Sequence, residues 1–156
     1  MFTLRTHARQ TAAVNTPAVN QCIFCAIAAA ELPADIVHCD DDVVAFLDRS
    51  PVFKGHVLVV PRRHVETLVE LPPELVVPFF GVVQRVAAAV PIALDAHGTF
   101  VAMNNTVSQS VPHLHAHVVP RRRKDGLRGF FWPRTRYDDT ADADAYATRI
   151  REALVR

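Results

Sequence analysis

The segment His113-Leu114-His115-Ala116-His117-Val118-Val119 sets three histidines at alternate positions. On a strand, period-two spacing turns alternate side chains to one side, so the three imidazoles share a face and Leu114, Ala116 and Val118 share the other. The apolar set marks the buried face and so orients the segment. A neutral imidazole near pH 7 can accept or donate a proton, ligate a metal or attack phosphorus, so a row of three offers proton transfer, metal binding and nucleophilic catalysis. A second chemical signal lies far upstream, where Cys22 and Cys25 form a Cys-x-x-Cys pair. That spacing serves redox motifs and zinc sites alike, so the pair alone does not choose between them.

The chain of 156 residues has the length of one domain with one core. Half of its residues are hydrophobic, 21% are charged, and its formal net charge is +1, the balance of an ordinary globular protein and a weak basis for generic nucleic-acid binding. No apolar run approaches the roughly 20 residues of a membrane span. Residues 1–20 read as a flexible leader, because Arg5, His7, Arg9 and Gln10 interrupt what would have to be the apolar core of a signal peptide. The third cysteine, Cys39, makes the count odd, which argues against a disulfide framework and for a reducing, cytoplasmic compartment. Cations crowd one segment, Arg121 to Lys124 followed by Arg128, Arg134 and Arg136, interleaved with Phe130, Phe131 and Trp132. That mixture could hold a polyphosphate tail or serve as a solvated basic loop.

The elements that must position these residues are legible in outline. IFCAIAAAEL has the composition of a short helix ended by Pro33. DIVHC and VVAFLD read as two strands around the turn Asp40-Asp41-Asp42, with Asp48 closing the second, and His56 to Pro61 is a β-branched run suited to a buried strand. Residues 73 to about 96 supply apolar positions at helical spacing, with Pro72 and Pro73 at the start and a kink or break expected at Pro78 and Pro91. TFVAMN after Gly98 is a further strand, NTVSQS a polar turn, and the histidine strand runs to about Pro120. An amphipathic helix begins near Thr140, with Tyr146, Ile150 and Leu154 on one face.

Taken together, CIFCAI, VVAFLD, GHVLVVPRRH and QSVPHLHAHVV occur in the order and spacing of the histidine triad family of nucleotide hydrolases and transferases, which the chain resembles from about Cys22 to Arg121. The resemblance implies an α+β fold spanning residues 21–156, in which an antiparallel sheet of about five strands packs against the long helix and two subunits pair as a homodimer. It also implies cleavage at the α-phosphate of a purine nucleotide conjugate, such as a dinucleoside polyphosphate or a nucleoside phosphoramidate, through a nucleotidyl-histidine. His115 matches the nucleophile, which needs one ring nitrogen unprotonated and the other donating to an acceptor such as a backbone carbonyl. His117 matches the histidine that contacts the phosphoryl oxygens, Ser110 and Gln109 match polar residues of the preceding turn, and Asn104 is favoured over Asn105 as a third. His56 matches a histidine that supports the nucleophile's orientation. Asp48 matches the ribose-contacting acid, its alternative being a turn former at a strand end. Phe24, Ile27 and Leu47 match apolar positions around the base, where plain core packing is the alternative.

In one branch of the family the Cys-x-x-Cys joins two histidines on a structural zinc, and here Cys22, Cys25, His64 and His113 match those four positions. Two thiolates and two imidazoles suit a closed tetrahedral site. Two other functions compete with the leading one. In the first, all three triad histidines hold zinc and activate water. In the second, the chain is a nucleotide-binding regulator with little turnover. Cys39, His7, His38 and His97 have no part in any of these schemes; Cys39 is expected as a core or strand residue.

Overall fold

The computed structural model describes residues 22–127 and 135–154, so the leader and the Phe130-Phe131-Trp132 run lie outside the described residues. In chain order the elements are α1 (Ile23–Ala28), β1 (Ile36–Cys39), β2 (Val43–Leu47), β3 (Val57–Pro61), a 3₁₀ turn (Leu68–Glu70), α2 (Pro73–Leu94), β4 (Gly98–Ala102), β5 (Ala116–Arg121) and α3 (Thr140–Leu154). The five strands form one antiparallel sheet in the order β1-β2-β3-β5-β4. The α+β class and five-stranded sheet expected from the sequence are therefore present.

Strict alternation in the central strands gives the sheet two apolar faces. Val43 and Ala45 of β2, Val57 and Val59 of β3, and Ala116 and Val118 of β5 turn one way with Leu114. They meet Leu75, Phe79, Val82, Val83, Val86 and Val90 of α2, all six buried. Val44, Phe46, Leu58 and Val60 turn the other way and meet Phe24, Ile27 and Ala28 of α1. The register places Phe46 opposite Leu58 and Leu58 opposite His117, so these three form a row across β2, β3 and β5 on the α1 face.

Several expectations change in detail. α1 stops at Ala28 rather than continuing to Pro33, because Ala30 takes a left-handed conformation with φ 59° and the Glu31 amide closes back on the Ala26 carbonyl at 2.8 Å. α2 is one continuous helix through Pro78 and Pro91 rather than a broken one. Pro78 leaves the carbonyl of Glu74 without its usual amide partner, but Glu74 is exposed and water can replace it. β5 begins at Ala116, so only His117 of the three histidines lies within a strand; His113 and His115 sit in the approach to it, yet the alternation of faces holds from Leu114 to Val118. Cys39 ends β1, in keeping with the strand position expected for it, and is exposed.

By length and composition α2 is long and apolar enough to cross a membrane, contrary to the expectation that no apolar run approaches a span. It packs one face on the sheet, while Val77 (80% exposed) and Ile92 (86%) lie on its outer side. Contacts divide the chain after Asp125, and in the second unit α3 buries no residue.

Leu114 is fully buried between sheet and α2, so Leu114→Ala should cost about 2–5 kcal/mol through lost transfer energy and the cavity left behind. Val107→Ala, at a position 77% exposed, should stay within about 0.5 kcal/mol. Urea titration of both variants checks the difference.

Candidate active site and metal cluster

The three histidines are separated by what surrounds them. His113 is fully buried. Its Nε2–H donates to the Pro61 carbonyl at 2.8 Å, which leaves Nδ1 with a lone pair. That nitrogen faces two sulfurs, Cys22 Sγ at 3.3 Å and Cys25 Sγ at 3.5 Å, while His64 Nδ1 lies 3.3 Å from Cys25 Sγ. The donor atoms of all four residues lie within 4.8 Å of one another. Tetrahedral bonds of about 2.3 Å to sulfur and 2.0 Å to nitrogen would set such atoms roughly 3.5 Å apart, so the cluster fits a metal without rearrangement.

The electrostatics of the cluster agree. Burial pushes His113 down to about 4, with His64 and His115 adding to the effect against the Pro61 bond, so its ring is neutral and able to ligate at pH 7. Burial, followed by the hydrogen bond and charge of Cys22, pushes the Cys25 thiol up to about 11. Two ionised sulfurs this close need a cation between them.

His115 is buried on the pocket side of the same segment, and its Nδ1–H donates to the His113 carbonyl at 2.6 Å. Nδ1 therefore carries a proton, and Nε2 is the nitrogen that bears the lone pair in the neutral ring. His115 and His117 line a cavity of about 750 Å³ together with Phe24, Ile27, Leu47, Asp48, Arg49 and Ser110, a volume suited to a small organic ligand. Phe24 sets its ring edge-on to His115, with centroids 5.2 Å apart, and to Phe46 at 5.5 Å. Asp48, just beyond the end of β2, stands at the cavity rim, where its Oδ1 accepts the Ser50 amide at 2.8 Å.

His56 does not line the cavity but reaches it through His117. The Val52 amide donates to His56 Nδ1 at 3.3 Å, which puts the His56 proton on Nε2, 3.0 Å from His117 Nδ1. His117 then carries its proton on Nε2. The Asp48 Oδ2 atom also lies 3.3 Å from His56 Nδ1, so Asp48, His56 and His117 adjoin one another, with the hydrogen bond in this tautomer running between the two imidazoles. Burial lowers His56, opposed by Asp48 and helped by His115. Burial also takes His117 to about 4, helped by His115 and His56 against Asp48.

Of the other residues singled out in the sequence, Ser110 reaches the cavity, whereas Asn104 and Gln109 do not line it. Asn104 Nδ2 donates to the Ser108 carbonyl at 3.1 Å. Gln109 Oε1 accepts the Thr106 amide at 2.8 Å and its Nε2 donates to the Glu66 carbonyl at 2.6 Å, so the side chain ties the turn to the loop that carries His64. Asn105 does likewise through the Leu68 amide at 2.7 Å. The residues that sequence reasoning missed are Pro61, as a carbonyl acceptor, and the inward Phe46 and Leu58 of the pocket floor. Alternation along β2 and β3 carried the signal for the last two. No cluster of metal-ligating groups among the described residues contains all three triad histidines.

Comparison with known proteins places this geometry. The HIT domain family model matches residues 29–124. A curated relative, protein hit of Bacillus subtilis, is 39% identical over 125 residues, covering 79% of this chain and 86% of its own. An adenylylsulfatase of Arabidopsis thaliana is 33% identical over 110 residues (69% of this chain, 56% of its own), and an adenosine 5'-monophosphoramidase of Saccharomyces cerevisiae is 33% identical over 107 (68% and 66%). Among solved structures, a HIT family protein of Bacillus subtilis superposes with TM-score 0.78 at 36% identity, covering 85% of this chain and 96% of its own. A Zn-bound histidine triad family protein of Mycobacterium smegmatis superposes with TM-score 0.66 at 34% identity, covering 86% and 99%. With the family model matching well over half of its length, the chain belongs to the histidine triad, or HIT, domain family.

Proposed function

We propose that the protein is a nucleotide hydrolase or nucleotidyl transferase acting at the α-phosphate of a purine nucleotide conjugate through His115. The observation that carries this reading is the His115 Nδ1–H bond to the His113 carbonyl, which leaves Nε2 as the nitrogen available to attack in the wall of a ligand-sized cavity. In this reading Nε2 attacks the α-phosphorus, the bond to the leaving group breaks, and water then cleaves the phosphorus–nitrogen bond to release the mononucleotide. His117 directs its Nε2–H at the phosphoryl oxygens and Ser110 assists. Asp48 accepts ribose hydroxyls, and Phe24, Ile27 and Leu47 close around the base. His56 is a positioning residue acting through His117. Asn104 and Gln109 act by shaping the turn before the triad. The plant and yeast relatives named for adenylylsulfate and AMP phosphoramidate chemistry support this substrate class.

The donor set of Cys22, Cys25, His64 and His113 favours zinc in a structural role, supported by the Zn-bound relative. A zinc on all three triad histidines is disfavoured by the Nδ1 of His113 facing sulfurs and the Nδ1 of His115 being engaged by a carbonyl. A cytoplasmic homodimer completes the reading. Three free cysteines favour a reducing compartment, and the exposed apolar side of α2 with the open edge of β4 favours pairing of two copies.

His115→Ala should lower turnover of an adenosine phosphoramidate by orders of magnitude while AMP binding changes little. Rapid quench of the parent enzyme should trap a nucleotidyl group on His115 that the variant lacks; a variant that keeps most of its rate removes covalent catalysis by His115. A parent that binds AMP without turnover would instead favour the regulator reading.

For the metal, protein purified without chelator should contain close to one zinc per chain by elemental analysis. Cys25→Ser should lose most of it and melt at a lower temperature. Unchanged metal content in Cys25→Ser would remove the cluster from metal binding.

The site histidines also make stability depend on pH. His117 titrates at about 4 when folded against 6.5 in the open chain, so the unfolded chain binds the proton first as the pH falls. Its contribution is fully present above 6.5 and is lost progressively from there towards about 4. The urea midpoint should fall on acidification across this window, and His117→Gln should flatten the slope. Identical slopes in parent and variant would show that His117 is not held neutral by the fold.

A further inference from the structure

α1 has two attachments that converge on the active site. Cys22 caps its N-terminus and Cys25 lies in its first turn, so this one short helix supplies both sulfurs of the metal cluster. Phe24 and Ile27, on the same six residues, form part of the cavity wall. The helix has little to hold it otherwise. It is shorter than any helix stable by itself, Cys22 makes no side-chain capping bond, and the first turn has no acidic residue. Among the described residues Phe24, Ile27 and Ala28 bury against Val44, Phe46, Leu58 and Val60, with Ala34 and Val111 packed alongside, and ordering six residues costs conformational entropy of the same order as that burial returns.

The sulfurs reach across to His113, and His113 is also the residue whose carbonyl fixes the ring of His115. One end of His113 therefore belongs to the cluster and the other to the nucleophile. Its ring is pinned on the far side by the Pro61 carbonyl at the end of β3, so a shift at the sulfurs is passed to the backbone rather than absorbed by rotation of the imidazole. Phe24 sits in the angle between them, its ring 6.0 Å from that of His113 and 5.2 Å from that of His115.

We propose that metal occupancy of the Cys22, Cys25, His64 and His113 cluster sets the nucleotide affinity of the neighbouring pocket. It does so by docking α1, so that Phe24 and Ile27 close the wall, and by holding the His113 carbonyl against His115. The inference rests on the nucleotide reading of the cavity and adds to it a control by metal. His113 and the two cysteines are then positioning residues, and α1 is a wall whose seating depends on the metal.

The test compares the full-length protein as purified, after removal of metal with chelator, and after return of zinc chloride, with AMP as the probe. Metal removal should weaken AMP binding by at least tenfold in calorimetry and speed hydrogen exchange at the amides of residues 26–32, while β2 and β3 stay protected. Zinc should restore both. Phe24→Ala should keep its metal content and yet lose affinity for AMP. Equal AMP affinity with and without metal overturns the coupling, as does unchanged protection of α1. Loss of protection in β2 and β3 as well would mean that the metal holds the whole fold, which overturns a local role for α1. Protein with its metal that fails to bind AMP overturns the nucleotide reading itself, an outcome distinct from the others.

Discussion

The hydrogen bond from His115 Nδ1 to the carbonyl of His113, at 2.6 Å, is the contact on which the site depends. It decides which ring nitrogen of the central histidine carries a proton and which one turns to the cavity. It exists only because the backbone at residues 113–115 is held off the regular sheet. In a strand the His113 carbonyl would point along the sheet to a neighbouring strand; here β5 begins at Ala116, and the free carbonyl is available to a side chain two residues on. The Leu114 amide, donating to the Val65 carbonyl at 2.7 Å, anchors that departure from the other side. Local irregularity is thus what orients His115, while the regular strand that follows carries His117.

The three imidazoles also show how one residue type takes three roles by environment alone. Burial disfavours the charged form of His113 and His117 alike, and the proximity of several rings reinforces it. Keeping His113 and His117 neutral is what lets each stand with its ring centroid about 5 Å from a neighbouring imidazole, His64 for His113 and His115 for His117. Neutral rings then differ in which nitrogen is bare, and that is set by the nearest backbone group: the Pro61 carbonyl for His113, the His113 carbonyl for His115, and, through His56, the Val52 amide for His117.

Much of this was legible in the sequence where the signal is local. The alternation of His113 to Val118 foretold which residues reach the α2 core, and the valine-rich runs foretold β2 and β3. Resemblance to the family paired Cys22 and Cys25 with His64 and His113, which no spacing argument could have done across 91 residues from Cys22 to His113. What was not legible depends on backbone conformation that side-chain types leave open. Thr106 and Ser108 both adopt positive φ, at 68° and 60°. The turn they form folds Asn104 and Gln109 onto local carbonyls and amides instead of into the pocket. Likewise α2 passes through Pro78 and Pro91 unbroken because packing of its buried face outweighs the loss of two backbone bonds, a balance that only the tertiary structure sets.

The two faces of the sheet divide the work in a way that explains the placement of the site. The α2 face carries the larger apolar core, with Phe79, Val82 and Leu114 almost wholly shielded, and its opening, a cavity of about 500 Å³ beside Val57, Val82, Val86 and Val90, lies away from the three histidines. The α1 face is covered by a helix too short to span it, so the row Phe46, Leu58 and His117 runs from under α1 to the open cavity beyond. A long helix there would bury the histidines as plain core, and no helix would leave Phe46 and Leu58 to water. A short one leaves part of the sheet face uncovered beside His115 and His117.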